Sequence, residues 1–409
     1  MSAWLRRQAW GAWSGVKEEE NLSVRQDPVY RCRSCGQELE TCGVPCPRGD
    51  GIVEALYARK RFRRFATLRS QAPGIWRYRR VLPPVENAIS LDEGWTPLHE
   101  SRAINQRIGC SLFFKDEGRN PSGSFKDRAA ALMVSVAVAQ GRSTVVLTSS
   151  GNAAGSVAMY AAAAGIECVV FMSEGAPREK VVHTRSFGAR VVQPRSTSGR
   201  LLRAAARQAA DEHGWAVLST TAQENPLAVE GFKTIAYEIA EQGLPDVVAT
   251  PVGAGTLLLG LRKGFAELLQ WGLIERMPRL LGVQPEGCNP VVRAFRRNAR
   301  TVEPVTSVET IATGVMLEDP GLDGAETLRA VRETRGAMLD VPDEEIIDAM
   351  RLLARQEGIF AEPSGALSVA GVIVARERGI LDSGDRVVAL ITGSGFKDIA
   401  NVESLLVSS

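Results

Sequence analysis

A chain of 409 residues is too long for one compact core and suits two domains with an appendage. At 44% hydrophobic and 23% charged residues, with a formal net charge of +2, it has the composition of an ordinary soluble globular protein, with no global attraction to nucleic acid or an anionic membrane. No run of about 18 apolar residues occurs, so no segment reads as a membrane-spanning helix.

The chain opens MSAWLRRQAWGAWSGVKEEE, without the apolar core and small-residue cleavage site of a signal peptide, and a cytoplasmic location is expected. Trp4, Trp10 and Trp13 suit either a short amphipathic helix or a disordered tail. Residues 1–88 form an irregular, basic, proline-punctuated extension, with basic runs at 59–65 and 77–80. It holds four of the seven cysteines, in CRSCGQELETCGVPC. In a cytosolic chain such a cluster points to metal before disulfide. Cys32 and Cys35 have the spacing of a zinc knuckle, but Cys42 and Cys46 follow sooner than in an ordinary ribbon. A structural zinc and a knuckle that has lost its metal both stay open. Cys110, Cys168 and Cys288 stand singly and read as small buried residues.

From residue 89 onward, short β-branched runs alternate with alanine-rich helical stretches. STVVLTSS (143–150), IECVVFMS (166–173), ARVVQPR (189–195) and WAVLST (215–220) read as strands, with helices in NAAGSVAMYAAAAG and RLLRAAARQAADEHG. DVVATPVGAG (246–255) leads into the helix LLLGLRKGFAELLQ, RLLGVQPEG (279–287) into another, and DRVVALITGSG (385–395) is the last strand. That alternation predicts an α/β protein with mostly parallel sheets.

Three strands end in glycine- and hydroxyl-rich turns: TSSGNAAGS (148–156), PVGAGTLLLG (251–260) and ITGSGFKD (391–398). In parallel sheets, ligands sit beyond the carboxyl ends of the strands, so the three turns can converge on one crevice. Gly253, Ala254, Gly255 and Thr256 place small residues and free N–H groups at a helix start, the makings of a phosphate cradle. No GK[ST] follows, which excludes a Walker A loop. Lys126, in NPSGSFKDR (120–128), precedes the buried-looking helix AAALMVSVAVAQ. A lysine at a helix start gains nothing from the helix dipole. Taken alone, it reads as exposed and solvated.

Together these stretches resemble the threonine synthase family, within the tryptophan synthase β-like (fold type II) pyridoxal-phosphate enzymes. SFKDR is similar to that family's GSFKDR, SSGNAA to S-S/T-G-N-T-A, GAGTL to its phosphate loop and TGSGFKD to T-G-H-G-L-K-D. LDEGWTPL (91–98), NPLAVEGFKT (225–234) and the N-terminal CRSCG have family counterparts too, in the same order. The resemblance implies pyridoxal 5′-phosphate held as a Schiff base on Lys126, with its phosphate on Gly253, Ala254, Gly255, Thr256 and Leu257. It implies Asn152 at the phenolic oxygen and Thr392 at the pyridine nitrogen. Ser149, Ser150 and the N–H groups around Ala153 suit the substrate α-carboxylate. Lys126, once displaced by the substrate amine, is free to move the α-proton. Phe125 reads as packing, Ser122 and Ser124 as turn residues, and Asp127 and Arg128 as a local ion pair.

The departures lie on the substrate side. Where the family reads N-S-x-N-P-x-R-x-E-G, this chain reads AQENPLAVEG (222–231). Ala222 and Gln223 replace the asparagine and serine, and Ala228 replaces a phosphate-binding arginine. Ala153 and Ser394 replace a threonine and a histidine. Arg178, Lys180 and Arg185 are available as substitute phosphate ligands. The expectation is retained chemistry on an altered amino-acid substrate, by elimination or replacement at the β or γ carbon. The alternatives are threonine synthase itself, a cysteate synthase-like or serine/threonine dehydratase-like lyase, and a non-catalytic binding paralogue. The resemblance further implies a homodimer and two domains around the cofactor: 89–131 with 231–409, and a smaller mobile domain at 132–230.

Overall fold

The structure, a computed structural model, describes residues 28–406 except 42, 50, 59–61, 63 and 196–197. The readings placed on Trp4, Trp10, Trp13 and Cys42, and part of the 59–65 basic run, lie outside these residues.

Strands are numbered in chain order: β1 Val29–Cys32, β2 Glu38–Leu39, β3 Val53–Leu56, β4 Leu98–Glu100, β5 Ser111–Asp116, β6 Thr144–Thr148, β7 Glu167–Phe171, β8 Arg190–Val192, β9 Ala216–Val217, β10 Val247–Pro251, β11 Arg279–Pro285, β12 Ala337–Val341 and β13 Arg386–Ile391. They build three sheets, ordered β2-β1-β3, β12-β11-β10-β13-β5-β4 and β8-β7-β6-β9. The first is antiparallel. The six-stranded sheet is parallel except where β4 runs against β5, and the four-stranded sheet is wholly parallel. The central strands read as continuous apolar runs because parallel sheets are covered on both faces. The whole four-stranded sheet lies within 132–230 and the whole six-stranded sheet outside it.

Two helices that pack side by side hold the centre, Lys126–Ala139 and Leu227–Gly243. The first has no amphipathic stripe because every residue from Asp127 to Ala137 is buried. Arg128 is fully buried and tied by its guanidinium to Glu117 (2.7 Å) and Glu238 (2.6 Å). Glu238 also takes the Lys115 ammonium at 2.8 Å. This network joins the exit of β5, the start of the lysine-bearing helix and the helix beside it. Asp127 turns away and accepts from the Ser122 N–H (2.6 Å) and hydroxyl (2.5 Å). The local pairing of Asp127 with Arg128 expected from sequence is therefore replaced by two separate buried arrangements, since each group finds better-aligned partners elsewhere.

Cys110, Cys168 and Cys288 are buried, as their apolar surroundings suggest. Burial pushes the Cys168 thiol up to about 12.

Candidate active site

In the six-stranded sheet β13 lies between β10 and β5, so their carboxyl ends are neighbours. The turn before Lys126 is clipped to the end of β13, where the Phe125 N–H donates to the Thr392 carbonyl (3.1 Å) and the Ser394 N–H to the Gly123 carbonyl (2.9 Å). The segment before the helix Pro363–Glu377 is clipped there as well, the Glu362 N–H donating to the Gly393 carbonyl at 3.2 Å. From the other sheet, the turn after β6 brings Ser149, Ser150 and Gly151 to the start of the helix Asn152–Ala164. Asn152 closes the gap, its Nδ2 donating to Glu362 Oε1 at 2.8 Å.

Lys126 Nζ meets the Thr220 hydroxyl at 3.3 Å and lies 4.6 Å and 5.5 Å from the ring centres of Phe125 and Phe232. No carboxylate pairs with it among the described residues. Desolvation in the cleft lowers its pKa to about 8, against the opposing pull of Glu362. A fraction of the ammonium, roughly a tenth at pH 7, therefore stands as the neutral amine that attack on an aldehyde needs. Phe125 packs on Phe232, their ring centres 4.8 Å apart.

The β10 turn supplies the cradle. Gly255 adopts φ 105°, a conformation that side chains disfavour, and a Cβ there would lie 1.8 Å from the Thr327 hydroxyl oxygen. Thr256 and Leu257 begin the helix Thr256–Gln270, whose first N–H groups have no partner within the helix. Asp323 braces the turn from behind. It accepts from the Thr256 hydroxyl (2.8 Å) and from the N–H groups of Ala222 (2.7 Å) and Gln223 (2.8 Å).

Thr392 is buried at the end of β13, its hydroxyl 3.4 Å from the Ser364 carbonyl. The Ser150 hydroxyl bonds that of Ser173 (2.9 Å), and Ser149 Oγ accepts from the Gly151 N–H (3.2 Å). Ala153 is buried just inside the helix. The residues present fit pyridoxal 5′-phosphate on grounds internal to the site. Lys126 has no carboxylate partner, Asn152 Oδ1 is buried with no hydrogen bond, and the cradle at Gly253, Ala254 and Gly255 admits no larger side chain at Gly255.

Sequence reasoning passed over Glu362. Its carboxyl pKa is raised by burial, and a Cβ on Gly393 would lie 2.3 Å from its Oε1. Its only local signal is a place directly before the Pro363 that starts a helix. The Ala228 methyl is fully buried and Ala222 nearly so, leaving no cation in the stretch where the family arginine stands. Of the candidate replacements, Arg178 and Arg185 are exposed while Lys180 is 6% exposed. Lys180 lines a cavity of about 40 Å³ beside Gly151 and Asn152, with His183 and Lys397.

In the N-terminal sheet, the ligand atoms of Cys32, Cys35 and Cys46 all lie within 4.8 Å of one another, with Cys35 and Cys46 sulfurs 3.7 Å apart. A tetrahedral ion with Zn–S bonds of about 2.3 Å sets its sulfurs about 3.8 Å apart.

Residues 89–393 match the family model of pyridoxal-phosphate dependent enzymes. A threonine synthase of Methanocaldococcus jannaschii is 36% identical over 382 residues, covering 90% of this chain and 93% of its own length. A Mycobacterium bovis threonine synthase is 38% identical over 326 residues, covering 78% of this chain and 87% of its own. Among solved structures, diaminopropionate ammonia lyase from Escherichia coli shares the fold at a TM-score of 0.66 and 21% identity, with 78% of this chain and 89% of that one covered.

Proposed function

The chain belongs to the threonine synthase family of pyridoxal-phosphate-dependent enzymes, and from that premise we propose that it performs the family's elimination or replacement chemistry on an amino acid other than O-phosphohomoserine. The observation that carries the altered substrate is the buried methyl of Ala228 where a guanidinium would hold a phosphate.

In this reading Lys126 carries the cofactor and then moves the α-proton. Gly253, Ala254, Gly255, Thr256 and Leu257 hold the phosphate with N–H groups at a helix start. Asn152 orients the ring through its phenolic oxygen. The bound cofactor supplies an electron sink for charge developing at the substrate α-carbon. A neutral Thr392 hydroxyl beside the ring nitrogen would leave that nitrogen unprotonated, which would favour expulsion of a side-chain group over transamination. Ser149, Ser150 and the N–H groups near Ala153 take the α-carboxylate. Residues 132–230 close over the site and exclude water from reactive species. Family resemblance supports a cytoplasmic homodimer.

The experiment is release of inorganic phosphate from O-phosphohomoserine by the cofactor-loaded protein, followed by amino-acid analysis. The reading expects no matched yield of phosphate and threonine, and equal yields of the two contradict it. A second reading, that the family's own reaction survives, is favoured by Lys180, a buried cation beside the site.

The N-terminal cysteines complete the proposal, with a structural zinc on Cys32, Cys35 and Cys46. The sulfur spacing supports it. Cys42, which the sequence groups with them, lies outside the described residues.

A further inference from the structure

One carboxylate ties together two parts of the site that lie far apart in the chain. Asp323 stands in the first turn of the helix Gly321–Glu333 and is fully buried, and no cation pairs with it among the described residues. Three donors meet its charge instead: the N–H groups of Ala222 (2.7 Å) and Gln223 (2.8 Å) and the hydroxyl of Thr256 (2.8 Å). The positive end of its own helix adds to them. Burial raises the carboxyl pKa to about 6 and Glu224 adds to the rise, while the three donors oppose it. At pH 7 the group is mainly ionised.

The donors come from two arms of the site. Thr256 opens the helix at the phosphate cradle. Ala222 and Gln223 continue a tight turn that carries Thr220, whose hydroxyl meets Lys126 Nζ at 3.3 Å. That turn is held internally, with Ser219 Oγ accepting from the Thr221 N–H (3.2 Å) and the Asn225 N–H donating to the Thr221 carbonyl (3.0 Å). Fixing the N–H groups of 222 and 223 therefore fixes Thr220 as well. Gln223 reaches back the other way, its Oε1 accepting from the Leu322 N–H at 3.2 Å. A buried carboxylate that takes two backbone N–H groups and one hydroxyl forms a satisfied network, and such networks rigidify what they join.

We propose that Asp323 is a positioning residue for cofactor attachment, setting the cradle at Thr256 and the Thr220 hydroxyl beside Lys126 in a fixed relation to each other. The inference rests on the reading of Lys126 as the attachment point. Asp323 touches neither Lys126 nor the cofactor in this account and acts through the two threonines.

The test uses the full chain and two readouts: the cofactor dissociation constant, by equilibrium dialysis, and the midpoint of the cofactor's absorbance change with pH. Asp323→Ala weakens binding by on the order of 10-fold or more and shifts the midpoint. Thr256→Val weakens binding alone, and Thr220→Val shifts the midpoint alone. Formate, an anion small enough for the place of the missing carboxylate, restores both properties to Asp323→Ala, whereas neutral formamide of the same size restores neither. Asp323→Asn keeps the volume and one acceptor, so it reports on the charge even if the alanine variant does not fold; it shows both changes to a smaller degree. Native values for both readouts in the asparagine variant, a change confined to one of them, or formate and formamide acting alike would each overturn the role of Asp323. If the native protein binds cofactor without attaching it to Lys126, the attachment reading itself falls, which is a separate outcome from an Asp323 variant that behaves like native protein.

Discussion

At the scale of single residues, the chemistry turns on how Lys126 is kept from being an ordinary surface lysine. Its ammonium faces a hydroxyl and two aromatic rings, so desolvation works against the charge and the pKa falls to about 8. A lowered amine pKa means that the reactive neutral form grows as pH rises. Roughly a tenth is neutral at pH 7, and most of it a unit or more above pH 8. The rate at which apoprotein takes up cofactor covalently therefore climbs from pH 6 through 8 and levels about a unit above the lysine pKa, measurable by stopped-flow absorbance; a pH-independent rate would contradict this. Lys126→Ala loses turnover by at least about a thousandfold, read from steady-state kinetics, because attachment and proton transfer go together. Gly255 is the second single-residue lever. Gly255→Ala places a methyl against Thr327 and strains a left-handed backbone, which costs about 1–3 kcal/mol and weakens cofactor binding, checked by equilibrium dialysis.

At the scale of elements, the helices Lys126–Ala139 and Leu227–Gly243 and the exit of β5 are locked by one buried arginine. Arg128→Met leaves Glu117 and Glu238 in the core without their main cation, with Lys115 as the remaining counter-charge to Glu238. Breaking such a network costs about 3–5 kcal/mol, and denaturant unfolding measures it. Sequence legibility also divides at this scale. Strands β6, β7, β10 and β13 announce themselves as β-branched runs, Asn152 and Thr392 stand out because each sits in or beside the glycine turn that follows one, and Lys126 because it follows the Pro-Ser-Gly-Ser turn. Strand β5 carries Lys115 and Asp116, and β12 reads AMLDV, so neither alternation nor an apolar run marks them; the pairing that creates them is long-range. Glu362 is illegible as a site residue for the same reason, and Lys180 is legible only as one of three candidate cations with Arg178 and Arg185. Glu362 is brought in by the clip to Gly393, and Lys180 by a helix from the other sheet.

At the scale of the whole molecule, the cysteine-bearing sheet is bolted to the body by charge. Arg33, between Cys32 and Cys35, pairs with Glu326 (3.3 Å), Glu54 of β3 takes Arg262 (2.9 Å), and Tyr57 donates to Glu230 at 2.8 Å. None of these contacts involves Lys126, which meets Thr220, Phe125 and Phe232. Removing metal with a chelator, or Cys46→Ser, is thus expected to expose 28–57 to limited proteolysis while the cofactor's absorbance stays unchanged. Native protein is expected to hold close to one zinc per chain by elemental analysis, and a metal-free preparation with an equally protease-resistant N-terminal sheet would argue against a structural ion.

The central claim is that the two sheets assemble one cofactor site around Lys126. Reducing the cofactor-loaded protein with borohydride fixes the attachment permanently, and peptide mass spectrometry then locates it. A single pyridoxyl adduct on Lys126 is expected, with none on Lys180 or Lys397. An adduct on another lysine, or no adduct in protein that has bound the cofactor, would contradict it.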